Sequence, residues 1–364
     1  MKRNLFSLTV IFLIVAMLLA VTGCAPATPP DEEGEEGVEG VAEGEPIELD
    51  LKLAHFWPAA HPAETDLAQG WADAIYEATD GQITVTTYPG ETLLKSAEIY
   101  DGVVSGIADV GFSCFAYTRG RFPLTEVFEL PGIVYNNSKV ASKVAWEGLK
   151  ELQPEEIKDT EMLMVLSTGP GDLVTKVPVR TLEDLKGLEL RATGLSAKTL
   201  EGLGAIPVAM PQADAYESMS KGIVQGNLTV IETLEGWRQA EVVDYITFTP
   251  FLYNTLFFVT MNKDVWNSLP PDLQKIVRDT TEKFHEEVAI GLWDMQVESA
   301  LKFSVDEFGL ELIDLTEEET ARWMELVEPV QEDFVAEMEA KGLPGREALE
   351  VAKKLADKYN EIYK

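Results

Sequence analysis

Apolar and polar residues alternate over 47–55 (IELDLKLAH), and a period of two reads as a strand half-buried in a sheet. The pattern then changes. Leu67, Trp71 and Ile75 recur every four residues over 63–79, the stripe of an amphipathic helix, and Asp80-Gly81 ends it. A second strand over 82–88 completes a strand–helix–strand unit, and a helix over 96–105 with a short strand over 108–112 repeats the rhythm. That order implies a parallel sheet with ligand loops at the carboxyl ends of its strands. Farther on, a helix over 136–152 leads into an apolar strand over 162–166, which stops in Ser167-Thr168-Gly169-Pro170-Gly171. A short helix over 181–187 has Thr181 as N-cap and Gly187 as stop, and a strand over 188–191 ends in Arg191. Helices over 195–203 and 213–221 flank an extended 206–211, and 247–262 (TFTPFLYNTLFFVTMN) reads as an apolar strand pair. Few breakers interrupt 271–308, expected as one long helix; a late strand over 309–315 and amphipathic outer helices over 316–341 and 346–363 close the chain.

Length and composition add the number of bodies and the setting. A chain of 364 residues exceeds the usual single-domain size, so two domains sharing one cleft are expected. Lys2 and Arg3 precede an apolar run over 5–21 that ends in Val21-Thr22-Gly23-Cys24. This ending resembles a bacterial lipobox, with 1–23 the signal peptide and Cys24 the lipidated first residue; an uncleaved membrane anchor is the alternative. Either way the body stands outside the cytoplasm, tethered to a membrane. The acidic stretch over 24–47 has too few bulky apolar residues to bury and reads as a disordered linker. A net charge of −34 argues against nucleic acid and against adhesion to anionic lipid. With Cys24 lipidated, Cys114 has no disulfide partner and is expected as a small buried residue.

Candidate chemistry concentrates around 163–194. Two glycines around Pro170 let backbone approach a ligand closely. Arg191, at the end of a strand, suits a carboxylate held by two parallel hydrogen bonds, and equally a structural salt bridge. Phe251 and Tyr253 are core rings or cleft lining. Arg119 and Arg121 are second carboxylate contacts or loop ties. No catalytic set stands out: His285-Glu286-Glu287 lacks a second histidine four residues on, and Gly169-Pro170-Gly171 lacks the Lys-Ser/Thr of a phosphate loop. Three histidines and one free cysteine offer no transition-metal set, so neither metal nor cofactor is expected.

Pro178-Val179-Arg180-Thr181-Leu182-Glu183-Asp184-Leu185-Lys186-Gly187-Leu188-Glu189-Leu190-Arg191 resembles the PV-T-x-DLKG-x-x-x-R signature of the DctP-like solute-binding proteins of tripartite ATP-independent periplasmic (TRAP) transporters. Gly106, Asp109, Gly111, Tyr117 and Gly120-Arg121-Phe122-Pro123 also match in order, and the likeness spans about 51–337. The resemblance implies an α/β, two-domain periplasmic-binding-protein-like fold, with a ligand cleft between the domains and a long helix bracing both. The expected division is 48–167 with 255–295, then 168–254 with 296–345, and a C-terminal helix over 346–364. In the family the arginine at the Arg191 position pairs with the ligand carboxylate. Ser167, Gly169, Gly171, Gln225, Asn227 and Thr229 would supply polar contacts, and Phe56, Trp57, Tyr117, Trp237, Phe251 and Tyr253 would cover the organic part. Gln225 stands where the family has aspartate, and Leu228-Thr229-Val230 replaces a polar triplet, which favours a less polar acid. The implied function is capture of a small organic acid by a monomer that delivers it to the small and large TRAP membrane subunits, without catalysis. A secreted enzyme acting on organic acids, and a binding protein for another transporter or a sensor, are the alternatives.

Overall fold

A computed structural model describes residues 48–364. The expected signal peptide, the lipidation site at Cys24 and the linker up to residue 47 lie outside the described residues. Eleven strands follow in chain order: β1 (Leu49–His55), β2 (Ile83–Tyr88), β3 (Val110–Cys114), β4 (Thr160–Ser167), β5 (Asp172–Thr175), β6 (Glu189–Ala192), β7 (Ile206–Ala209), β8 (Gly226–Thr229), β9 (Tyr245–Phe248), β10 (Leu256–Asn262) and β11 (Glu311–Asp314). They form two sheets, one in the order β2-β1-β3-β10-β4 and one in the order β11-β9-β5-β8-β6-β7. In the first, β1 runs parallel to β2 and β3, as a strand–helix–strand unit requires, whereas β10 is antiparallel to β3 and β4. Every residue of β10 is buried, Thr260 and Asn262 included, as suits an interior strand of a sheet covered on both faces.

The chain passes between the sheets twice without a helix, from β4 to β5 in extended form and from β9 to β10 through a turn at 249–252 followed by extended 253–255. The two crossings lie side by side. Thr168 N donates to Thr255 O at 3.0 Å, Thr255 N to Thr168 Oγ1 at 2.9 Å, and Gly171 N to Tyr253 O at 2.6 Å. A third connection is helical, along 271–308.

That stretch is two helices, Pro271–Glu287 and Asp294–Phe308, joined by a tight turn at Ala289–Gly291. Ala289, Ile290, Leu292 and Trp293 are all buried, and a straight helix would bring only part of such a run to the core. The freed groups find other partners: Ser138 Oγ donates to Ile290 O at 2.8 Å, and Asp294 Oδ1 accepts Ser138 N at 2.7 Å at the start of the helix Ser138–Leu152. The helix expected over 316–341 also divides, at Pro329, into Glu317–Val327 and Pro329–Ala340; proline carries no N–H and sits readily in a first turn. Trp323 and Val327 pack with Leu190 and Leu200 beside the second sheet. Val330, Phe334, Val335 and Met338 instead join the core of the first, with Leu349 and Leu355 of the last helix, Gly345–Ile362. The structure thus places 329–340 against the first sheet, where the sequence reading grouped it with the second.

Candidate functional site

Arg191 is the second-last residue of β6, and its side chain is turned inward, where it is 2% exposed. Its guanidinium is fixed by backbone and amide: Nε donates to Met210 O at 3.0 Å, and Nη1 lies 3.5 Å from Asn227 Oδ1. Asn227 is itself held, its Nδ2 donating to Gln239 Oε1 at 3.1 Å. Nη2 is buried without a hydrogen-bond partner, and among the described residues no carboxylate forms an ion pair with Arg191. A buried cation left so costs several kcal/mol unless an anion arrives, roughly the penalty for an uncompensated charge. The salt-bridge alternative for Arg191 therefore finds no partner among these residues.

Arg191 lines a small, partly open cavity of ≈ 30 Å³ with Phe56, Trp57, Tyr117, Thr229, Trp237 and Tyr253, six of the other residues singled out in the sequence. Phe56 stacks on Trp57 at 3.8 Å between centroids, stands edge-on to Tyr117 at 5.3 Å, and faces Trp237 at 6.1 Å. Tyr117, from the turn after β3, accepts Gln212 N on its hydroxyl at 2.9 Å, so the two sides of the cleft touch. Burial pushes the phenols of Tyr117 and Tyr253 up, with the Arg191 charge opposing, so both rings stay neutral donors. Gly194, at φ +54°, comes so close that a Cβ would stand 2.8 Å from Ala116 Cβ.

The other expected residues lie elsewhere. Ser167 is fully buried behind the crossing strands, where its Oγ accepts Asn254 Nδ2 at 2.9 Å. Gln225 stands just before β8, away from the cavity, its Oε1 accepting Glu189 N at 2.7 Å. Phe251 packs in the core of the second sheet with Leu252 and Trp323. Gly171 supports the wall from behind, its Cβ position 2.6 Å from the Tyr253 ring. Gly169 lines an adjoining groove of ≈ 570 Å³ with Pro170, Asp172, Trp293 and Glu232, which also borders the Arg191 cavity. Arg121 pairs with Asp159 and lies over the Tyr100 ring at 4.9 Å, a tie within its own side of the molecule. Sequence reasoning missed Gln212, Glu232 and Thr233, all in the cavity wall. Glu232, next to the apolar Val230-Ile231, was the one legible signal: a charged residue there has to face something polar.

Two buried carboxyls brace the crossings. Glu129 Oε1 accepts Leu256 N at 2.7 Å, and burial pushes its pKa up to about 8. Asp172 Oδ1 accepts Thr249 N at 2.6 Å, and burial raises it to about 7. Among the described residues, no cluster of histidine, cysteine or acidic side chains has a metal-holding arrangement, and no helix is long and apolar enough to cross a membrane.

Residues 53–338 match the family model described as bacterial extracellular solute-binding protein, family 7, DctP. The chain belongs to this family. As a family 7 protein it is a solute-binding component of TRAP transport, of a class that works outside the cytoplasm with TRAP membrane subunits. It is 27% identical over 294 residues to the C4-dicarboxylate-binding periplasmic protein DctP of Rhodobacter capsulatus, covering 76% of this chain and 85% of that one. A TRAP periplasmic solute-binding protein of Desulfovibrio salexigens, solved as an open complex with the C-terminus of a symmetry mate in its ligand site, shares 35% identity at a TM-score of 0.75, over 86% of this chain and 97% of that one. A marine-metagenome TRAP protein specific for aromatic acid ligands, solved with 3-hydroxybenzoate, shares 28% identity at a TM-score of 0.81, over 86% of this chain and 99% of that one. The two-domain α/β fold of the family is the one seen here.

Proposed function

We propose that this protein captures a small organic acid, an apolar or aromatic monocarboxylate, and delivers it to the small and large TRAP membrane subunits for ion-coupled uptake. The observation that carries this reading is the buried Arg191 guanidinium with Nη2 unpartnered inside a cage of rings. A carboxylate there would receive two parallel charge-assisted hydrogen bonds, and Phe56, Tyr117, Trp237 and Tyr253 would cover an apolar remainder. The metagenome relative's aromatic acid ligands point the same way. A lipid anchor at Cys24 would hold the receptor near its membrane partners.

A volume of ≈ 30 Å³ has room for about two water molecules and none for an organic acid, so binding requires the walls to part. The division that serves this motion is a first domain built on β1–β4 and β10 and a second on β5–β9 and β11, with the paired crossings as hinge. In this reading the helix Pro329–Ala340 moves with the first domain.

The test is a thermal-shift screen of the full-length protein against organic acids, sugars and amino acids, repeated with Arg191→Ala. A ligand at a hundredfold its dissociation constant adds about 2.7 kcal/mol of apparent stability. Carboxylic acids should give that shift and Arg191→Ala should lose it. Stabilisation by sugars alone, or an undiminished response of the variant, refutes the anchor.

A further inference from the structure

Buried polar atoms without partners occur at two places in the cavity wall, and they differ in kind. Beside Arg191 Nη2 stands Gln212 Nε2, also unpartnered, so this side offers donors. Glu232 Oε2, on the same wall, is a buried acceptor with no hydrogen bond, in a residue 5% exposed. His61, 2% exposed, stands opposite it. His61 Nδ1 accepts Ala63 N at 3.0 Å, which leaves the proton of a neutral imidazole on Nε2. Nε2 points at Glu232 Oε2 from 3.6 Å, beyond hydrogen-bond length, and is unpartnered too.

The gap is preserved by the chain itself. A Cβ on Gly236 would lie 2.8 Å from His61 Nε2 and 3.5 Å from Glu232 Oε2, so any other residue at that position would fill the space these atoms face. Trp57, Trp237 and Trp293 surround the imidazole at 6.0–6.5 Å between centroids and keep bulk water from the pair. Leaving two buried polar groups unmade is costly, and the cost is recovered only when a partner enters.

Resting on the organic-acid reading above, we propose that the ligand carries a hydrogen-bond donor, a hydroxyl or an amine, away from its carboxylate, and that Glu232 accepts it. Arg191 and Glu232 then sort the two ends of the molecule: the carboxylate goes to the donors, the hydroxyl or amine to the acceptor. His61 is a positioning residue that holds Glu232 through Nε2–H when the pair draws together. A second carboxylate brings no donor to Oε2, so dicarboxylates are selected against.

The experiment is isothermal titration of the full-length protein with benzoate, its 3- and 4-hydroxy and 3- and 4-aminomethyl derivatives, and isophthalate, using the parent protein, Glu232→Gln and Glu232→Leu. At least one donor-bearing acid should bind on the order of tenfold tighter than benzoate, the factor expected of one hydrogen bond to a charged or buried group. The hydroxyl and amine arms identify which donor is used. Glu232→Leu should erase the preference, bringing the donor-bearing acids down to the affinity of benzoate for the same variant. Equal binding of benzoate and every donor-bearing acid, isophthalate binding as tightly as they do, or a preference that survives Glu232→Leu overturns the inference and leaves the carboxylate anchor standing. If no acid binds at all, the organic-acid reading fails and this inference falls with it. Should Glu232→Leu not fold, the parent's ranking and Glu232→Gln, which keeps an acceptor oxygen and should retain part of the preference, decide the matter.

Discussion

Gly194→Ala tests the closure of the cleft with a single methyl group. Gly194 follows β6 of the second sheet and faces Ala116, in the turn after β3 of the first, at a distance that would put the new Cβ 2.8 Å from Ala116 Cβ. Two costs follow, and they act on different states. Placing alanine at φ +54° and ψ −133°, a backbone conformation essentially reserved for glycine, costs about 1–3 kcal/mol in any folded form. The methyl–methyl clash exists only while the two sides touch, and overpacking of this sort costs about 1–3 kcal/mol. The unliganded protein escapes the clash by opening, whereas the ligand-bound protein has to close; taking 1.4 kcal/mol for the second cost, ligand affinity should fall about tenfold, with the melting temperature of the unliganded protein lowered mainly by the first. Titration calorimetry gives the affinity, and small-angle scattering reads the wider cleft. Ala116→Gly in the same chain removes the opposing methyl and should restore affinity without restoring the melting temperature. Unchanged affinity in Gly194→Ala, or a double variant as weak as the single one, would refute the reasoning.

Other expectations follow from the buried carboxyls and from close approaches. Burial raises Glu129 from 4.5 to about 8, so the folded protein keeps a proton that the unfolded chain releases; its contribution is present below about pH 4.5 and is lost as pH rises toward 8. Glu129→Gln, whose Oε1 can still accept Leu256 N, should flatten that decline by a few kcal/mol, measured by denaturant unfolding at pH 5 and 8.5; an equally steep decline in the variant would count against it. A Cβ on Gly148 would meet the Phe128 ring at 2.3 Å, so Gly148→Ala should lower stability by about 1–3 kcal/mol without altering the ligand preference. Asn254→Ala leaves Ser167 Oγ without its buried donor and Phe128 O with the Tyr135 hydroxyl alone, and should cost about 1–3 kcal/mol in thermal unfolding.

The elements were largely legible in the sequence because each carries its own period: Leu51 and Leu53 alternate with charged neighbours, and Leu67, Trp71 and Ile75 mark one helical face. Arg191 was legible because a strand end in an α/β protein is where a ligand sits. What escaped depends on how distant segments meet. Phe251 and Tyr253 are two residues apart and would share a face in a regular strand, but Leu252 N bonds back to Thr249 O, and the turn sends one ring to the core and the other to the cavity. The break after Val288 was hidden by an apolar run that reads equally as buried helix; it is set by Ser138 and Asp294, 156 residues apart in the chain. Gln212 lines the cavity and its N–H donates to the Tyr117 hydroxyl across it, a meeting of distant segments with no local signature.

The ring stack at the cleft also has an optical consequence. Trp57 lies against Phe56 at 3.8 Å and Phe112 at 4.1 Å, all on the first sheet's side, while Trp237 faces Phe56 from the other side at 6.1 Å. Indole transitions held at fixed angles in an asymmetric, water-free setting give strong near-ultraviolet circular dichroism and a blue-shifted emission, and both depend on the spacing between Trp237 and its partners. The protein therefore carries a built-in chromophore pair across the gap that must open and shut, and its working cycle can be followed by light alone, with no label attached.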